Sequence, residues 1–418
     1  MVTVIGLGFV GLTTALGFAD AGYQVCGIEK DAVKLQSIRT GRIPFYEPGL
    51  AEALEKHLGE RFAVHDSYDC IADSRYVFVC VGTPCSKNGE ADLSYIFSVL
   101  DDCLAVLNKN RSDCNPVFII KSTVPPSTTF ETIKKHIEDK GFMVGKDCHL
   151  ANNPEFLREG HAWSDFTEPD RIVIGTEDSA VGERMRELYS PFDAPVHIVS
   201  GNTAEFIKYA SNATLAALIS FSNELAELAE TIGDIQVADA VRILHEDERW
   251  HNGVMRTYLY PGCGYGGYCL PKDTTALSHF AKSKGVDTAI LNEVINRNET
   301  MPRSIAERIA KHADGDGTIG ILGLSFKPGS DDVRESSSAK VISELIKLGY
   351  RRFVAYDPVA NAVFSNTYKW DAEIDYAINM NEVIARSNPV VILTAWEEFK
   401  TINNDSNKVC ILDYRYIL

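Results

Sequence analysis

The sequence predicts an α/β protein: two Rossmann-like, doubly wound parallel-sheet domains joined by a helical central domain with a long spine helix. Three observations carry this. The first half alternates short β-branched runs with helix-period segments, the pattern of a parallel sheet covered on both faces. From Thr203 to Ile232 there is neither Pro nor Gly, and apolar residues recur at three- and four-residue spacing. After Pro302 the alternation resumes, and GTIGILGLSFK echoes the opening VTVIGLGFVG without its third glycine. The expected domains are 1–199, 200–301 and 302–418.

Taken in order, the first domain offers strands at Val2–Ile5, Gln24–Ile28, Tyr76–Val81, Val117–Ile120, His149–Asn152 and Arg171–Ile174, with amphipathic stretches such as Val10–Ala21 and Leu50–Leu58 between them. The spine would reach about 45 Å at 1.5 Å per residue, longer than one small core needs. Its apolar residues lie on several faces, which suits a dimer interface. The last domain offers strands at Thr318–Leu322, Phe353–Tyr356, Pro389–Leu393 and Val409–Leu412, and a helix Ser336–Leu348 closed by Gly349.

Composition limits the function. The 418 residues carry 41 Lys+Arg against 58 Asp+Glu, a net charge of -17. Phosphate backbones and anionic lipid surfaces repel such a field, so neither nucleic acid nor membrane is expected as a partner. None of the ten cysteines forms a CxxC pair. Zinc-ribbon and disulfide-scaffold readings therefore fail, no metal site is expected, and a reduced cytoplasmic protein fits. MVTVIG reads as a strand entering a glycine loop rather than a signal peptide.

Gly6-Leu7-Gly8-Phe9-Val10-Gly11 follows a strand and opens a helix, the context a dinucleotide fingerprint requires. Glu29 ends the next strand, where a carboxylate accepts ribose hydroxyls and repels a 2′-phosphate, favouring NAD over NADP; Lys30 and Lys34 leave room for some NADP. Pro261 to Asp273 is the most informative stretch. Four glycines between Gly262 and Gly267 have no place in a helix or a central strand. They lead to Cys269, with Lys272 and Asp273 just beyond. A lone cysteine is more often inert; the glycine approach and the neighbouring cation, which favours thiolate, turn the reading toward a nucleophile. Thr123 and Glu155 follow predicted strands, at the end where open α/β sheets bind ligands. Lys208 and Asn212 share a face of the spine.

With these residues in hand, the chain resembles the UDP-glucose/GDP-mannose dehydrogenase family over essentially its full length. GLGFVG, VGTP (81–84), STVPP (122–126), NPEFLREG (153–160), KYASNA (208–213), GYGGYCLPKD (264–273) and FKPGSDDVRES (326–336) occur in the family's order. The resemblance implies that Cys269 is the nucleophile, with Lys208, Asn212, Asp273, Glu155 and Thr123 around the reacting centre. It implies NAD contacts at Gly6, Gly8, Phe9, Val10, Gly11, Glu29, Lys34, Thr83, Thr123, Glu159, Lys272 and Arg334. Substrate contacts are implied at Glu155, Phe156, Leu157, Arg158, Glu159, Lys208 and Asn212, at Tyr258, Leu259, Tyr260, Pro261 and Gly262, and at Gly266 and Lys327.

The implied reaction is a two-step, NAD-dependent oxidation of a nucleotide sugar, UDP-glucose first, with GDP-mannose or another UDP-hexose as the alternative. A homodimer through the spine is implied too. The segment Arg249 to Arg256 is longer than the family's usual run, leaving open which arginine, if either, reaches a neighbouring subunit. A single-step hydroxyacid or hydroxyacyl dehydrogenase is the remoter alternative, and a non-catalytic NAD-binding protein the rival from another class.

Overall fold

The computed structural model describes residues 1–86, 89–110, 115–247, 255–315, 317–402 and 409–418. The chain divides into two compact units, Met1–Ala210 and Ser211–Leu418, and the division falls inside one continuous helix, Gly201–Ile232.

The first unit is built on eight strands: β1 Val2–Ile5, β2 Val25–Ile28, β3 Phe62–His65, β4 Tyr76–Val79, β5 Val117–Ile120, β6 His149–Asn152, β7 Ile172–Gly175 and β8 Val196–Val199. Their order is β3-β2-β1-β4-β5-β6-β7-β8. The first six are parallel and form the doubly wound order of a dinucleotide-binding sheet. β7 meets β6 antiparallel, so the sheet is mixed. β1, β2, β4 and β5 are buried at every position, because helices cover both faces. Phe18, wholly buried on the helix Phe9–Asp20, touches the rings of Tyr23, Phe78, Phe166, Tyr189 and Phe192, tying that helix to the sheet and to its neighbours.

The second unit holds the rest of the spine, further helices and a five-stranded sheet. Its strands are β9 Ile319–Leu322, β10 Arg352–Tyr356, β11 Glu373–Tyr376, β12 Val390–Ile392 and β13 Ile411–Asp413, parallel throughout in the order β11-β10-β9-β12-β13. The α/β fold class expected from the sequence is present in both sheets. β3, β8 and β11 were not marked by the sequence, and all three are sheet edges.

One expectation is corrected. Cys26 on β2 and Cys70, 44 residues on, are joined by a disulfide, where uniformly reduced cysteines were expected. Each cysteine sits in an unremarkable local sequence, and only folding brings β2 and the short helix Asp69–Asp73 together.

The N-terminal turns of the spine helix grip the segment that follows β5. Asn202 accepts the Ser127 N–H at 2.7 Å, and buried Glu205 accepts that of Thr129 at 2.9 Å. Burial pushes the Glu205 carboxyl up to about 7, although the Thr129 hydroxyl and nearby backbone N–H groups pull the other way. The folded carboxyl therefore binds its proton more tightly than the unfolded one. Its stabilising contribution is complete below the ordinary value of 4.5 and is lost as pH rises through 7. Glu205→Gln keeps an acceptor without a charge. Relative to the wild type it should gain about 3 kcal/mol between about pH 4 and about pH 8, measured by urea unfolding across that range; a difference independent of pH would contradict this account.

Candidate active site

In the first unit the turn after β1 is closed by close packing: a Cβ on Gly11 would lie 1.8 Å from the Gly6 carbonyl oxygen. A Cβ on Gly8 would meet nothing within 4 Å, and no side chain caps the helix that starts at Phe9. The first N–H groups of that helix thus have no side-chain cap, and the space beside Gly8 is open, the arrangement a pyrophosphate needs. Glu29 is buried and accepts the N–H groups of Leu7 and Asp31, both at 2.9 Å. It fixes the turn while its oxygens retain lone pairs for ribose hydroxyls. Lys30 is drawn onto the Asp66 carbonyl and over the Tyr68 ring, and exposed Lys34 lies on the helix Ala32–Arg39. Half-buried Phe9 packs on Phe45, and Val10 follows it. Thr83, just beyond β4, donates to the Thr123 carbonyl at 2.8 Å, so two residues selected from different motifs meet. These residues fit a dinucleotide.

A charged cluster lies at the carboxyl end of the same sheet. Glu155, past β6, pairs with Lys208 at 2.9 Å, and both side chains are almost fully buried. The carboxylate also accepts the Leu157 N–H at 2.7 Å. Burial alone would push Glu155 up; the Lys208 ammonium, the Leu157 N–H and Lys121 together outweigh it and hold the carboxyl below its ordinary range. The Phe156 ring lies under Lys208 and also under Arg171. Arg158 is turned back onto Asp165 by a two-pronged ion pair with contacts of 2.5 and 3.0 Å. Glu159 is half-buried.

The second unit presents the thiol. Cys269 is the first residue of the helix Cys269–Ser283, whose N-terminal dipole end favours a negative sulfur. One turn on, Asp273, 1% exposed, accepts from Asn212 Nδ2 at 2.5 Å and pairs with Lys272. Burial alone would lower the Lys272 ammonium; Asp273, then Cys269 and Tyr268, raise it above its ordinary value. Both Lys272 and Arg334 lie over the Tyr268 ring, and Arg334 also forks onto Asp332.

The glycine loop is held by amides. Asn298 accepts the Tyr265 N–H at 2.7 Å and donates to the Tyr265 carbonyl at 3.0 Å, while Asn223 of the spine accepts the Gly262 N–H at 2.6 Å. Gly267 has φ +75°, and a Cβ there would come within 2.9 Å of Phe326. On Gly266 it would lie 2.4 Å from the Glu335 carbonyl oxygen. The glycines thus allow the loop to lie against its own chain between Phe326 and Glu335, where the sequence alone pointed only to a ligand.

Lys327 sits beside the Phe326 ring. The run before the loop divides: Leu259, Pro261 and Gly262 are buried, whereas Tyr258 and Tyr260 are half-buried, and Tyr260 donates to the Tyr416 carbonyl at 2.7 Å. Arg249 lies outside the described residues, and Arg256 falls in the short helix Met255–Tyr258.

Two carboxylates play matching parts in the two sheets. Asp357, after β10, accepts the N–H groups of Leu324, Ser325, Val359 and Ala360 and the Trp396 indole N–H, as Glu29 after β2 accepts those of Leu7 and Asp31. Asp357 directly follows the expected strand Phe353–Tyr356, and neither it nor Asn223, Asn298 and Lys121 was selected. Lys121 directly precedes the STVPP motif; the two asparagines carry no local signal, since their partners are 39 and 33 residues away.

A glycine turn at a helix N-terminus with a strand-end carboxylate, in a chain that also presents a thiol at a second helix N-terminus, defines an NAD-dependent dehydrogenase. Family models match along the chain: the NAD-binding domain of the UDP-glucose/GDP-mannose dehydrogenase family over residues 1–193, its central domain over 202–300 and its UDP-binding domain over 320–418. The chain is 37% identical over 415 residues to the UDP-glucose 6-dehydrogenase of Pseudomonas aeruginosa, covering 95% of this chain and 88% of that one. It is 34% identical over 413 residues to UDP-glucose 6-dehydrogenase AglM of Haloferax volcanii, covering 96% and 93%. A solved UDP-glucose dehydrogenase from Pyrobaculum islandicum superposes with a TM-score of 0.90 at 34% identity, covering 100% of this chain and 94% of that one. The chain belongs to the UDP-glucose/GDP-mannose dehydrogenase family. It is an oxidoreductase that uses NAD and acts on a nucleotide sugar.

Proposed function

We propose that the protein oxidises UDP-glucose twice at C6, from alcohol to acid, giving UDP-glucuronate with two NAD reduced and one water consumed. The observation that carries this reading is Cys269 at a helix N-terminus, one turn from the Asn212–Asp273–Lys272 cluster. A one-hydride dehydrogenase has no use for such a thiol. The curated relatives named above are UDP-glucose 6-dehydrogenases, which favours that sugar.

In this scheme Gly6–Gly11, Glu29 and Thr83 would hold NAD, which when bound would supply the hydride acceptor for each of the two oxidations. Lys208, or a water held by Asp273, assists loss of the C6 hydroxyl proton. The Cys269 thiolate then adds to the aldehyde carbon; a C–S bond forms, and the oxyanion of the thiohemiacetal is met by the Lys208 ammonium and the Asn212 amide. Collapse of that adduct with loss of the second hydride leaves a thioester on Cys269. Water positioned by Thr123 and activated near Glu155 or Asp273 attacks C6, and the C–S bond breaks with the sulfur leaving as thiolate.

The chain's three parts follow: 1–199 for NAD, 200–301 for the cysteine loop and dimerisation, 302–418 for the nucleotide. The cytoplasm is the compartment in which a reactive thiol such as Cys269 stays reduced. Among the described residues no helix is long and apolar enough to cross a membrane. Phe221, Leu225, Leu228 and Ile232 are 43–65% exposed and recur at helical spacing along one stripe of the spine, the kind of surface a second copy of the chain would cover.

A panel of UDP- and GDP-hexoses scored by NADH absorbance tests the reaction. UDP-glucose should be the fastest substrate and yield two NADH per sugar; one NADH per sugar would end the two-step reading, and a faster GDP-mannose would replace the substrate. Cys269→Ser should lower NADH production from UDP-glucose by about 10³-fold or more, with aldehyde or a slowly hydrolysed ester as the product found by mass spectrometry. Acid formed at the wild-type rate would exclude covalent catalysis. Leu225→Glu with Leu228→Glu should convert a dimer to monomers in analytical ultracentrifugation; an unchanged sedimentation coefficient would move the interface elsewhere.

A further inference from the structure

Lys121, the first residue after β5, is 4% exposed and has no part in the scheme above. Its ammonium donates to Asn153 Oδ1 at 3.0 Å and to the Asn153 carbonyl at 3.4 Å. Asn153 Oδ1 also accepts the Tyr189 hydroxyl at 2.6 Å, and its Nδ2 donates to the Val173 carbonyl at 2.8 Å. Two residues further on is Glu155, paired with Lys208 at 2.9 Å. Lys121 lies within electrostatic reach of Glu155, Lys208 and the Cys80 thiol. At the carboxyl ends of β4, β5 and β6, the buried Glu155 carboxylate is therefore paired with the Lys208 ammonium and within electrostatic reach of a second one, that of Lys121. Lys121 is bonded to Asn153 on the same loop as Glu155, whereas Lys208 reaches Glu155 from the spine helix.

The second cation matters once Lys208 serves the substrate oxygen. A buried carboxylate that loses its only counter-ion is strongly destabilised, so a lysine paired with Glu155 alone would be held back from the sugar. We propose that Lys121 is a positioning residue: the fixed counter-ion of Glu155, holding the 153–155 segment in place while Lys208 turns to the substrate. This rests on the roles given above to Glu155 and Lys208. It fits the electrostatics of the group itself. Burial pulls the Lys121 ammonium down to about 8, with Cys80 and Glu155 opposing that pull and Lys208 adding to it.

The experiment compares Lys121→Met and Lys121→Arg by kcat and KM across pH. The groups facing Glu155 are Lys208 from the spine, Lys121 from the end of β5 and the Leu157 N–H from its own loop, with the Cys80 thiol nearby. Removing one cation raises the carboxyl toward its ordinary range. Lys121→Met should therefore lower kcat about tenfold or more and move the acidic limb of the kcat profile up by about one pH unit, with KM for UDP-glucose changed less than kcat. Lys121→Arg, which keeps the charge, should recover most of kcat. An acidic limb that stays in place, or an Arg variant no better than Met, overturns the proposal.

If Lys121→Met is too unstable to assay, Lys121→Met/Glu155→Gln decides by thermal melting. Recovery of stability in the double variant supports the pairing, and additive losses overturn it. Glu155→Gln and Lys208→Ala serve as controls. If either turns over like the wild type, the roles of Glu155 and Lys208 fall. If both fail while Lys121→Met keeps the wild-type pH profile, only the role of Lys121 falls.

Discussion

A charge taken out of water must be answered by another charge or by hydrogen bonds, and the functional ends of this molecule are organised by that requirement. Lys208 and Glu155 meet it together, with side chains 5% and 6% exposed. Asp273 meets it with an amide on one oxygen and an ammonium on the other. Glu29 meets it with backbone N–H groups, and Asp357 with backbone N–H groups, the Trp396 indole and the Ser325 hydroxyl. In each case the groups that answer the buried carboxylate also fix the loop or helix beside it, so the electrostatics and the geometry have one origin.

The two sheets show how one topology serves different ends. In the first, the strand-end carboxylate steadies a glycine turn and retains acceptor capacity. In the second, Asp357 is engaged by five N–H groups and by the Ser325 hydroxyl, and it closes the turn after β9 completely. The missing third glycine noticed in GTIGILGLSFK agrees with this. The later turn is a support for the Phe326–Lys327 segment rather than a cradle for pyrophosphate.

Much of this was legible in the sequence, and the gaps have physical causes. Buried central strands such as Tyr76–Val79 and Val117–Ile120 read as unbroken apolar runs because both faces are covered. The edge strands β3, β8 and β11 mix exposed with buried or half-buried positions over only four residues, which leaves too short an alternation to stand out. Motif residues such as Glu155, Cys269 and Asp273 were visible because their chemistry is local. Asn298, Asn223 and Tyr189 were not, since an amide or phenol acquires meaning only from a partner that folding supplies. The mixed direction of the first sheet at β6 and β7 and the Cys26–Cys70 link were hidden for the same reason.

The amides on the glycine loop bear on how variants of this protein should be interpreted. Asn223 comes from the spine helix and Asn298 from the helix Ala289–Ala310, and both are buried. The loop leading to Cys269 therefore takes its position from where those two helices lie, and the thiol is aimed by helix packing as much as by its own neighbours. Small shifts of either helix reach the sulfur as changes of angle. A substitution between the helices can thus displace the thiol while every polar group around it is still present, a loss of alignment in which the side chains themselves are intact.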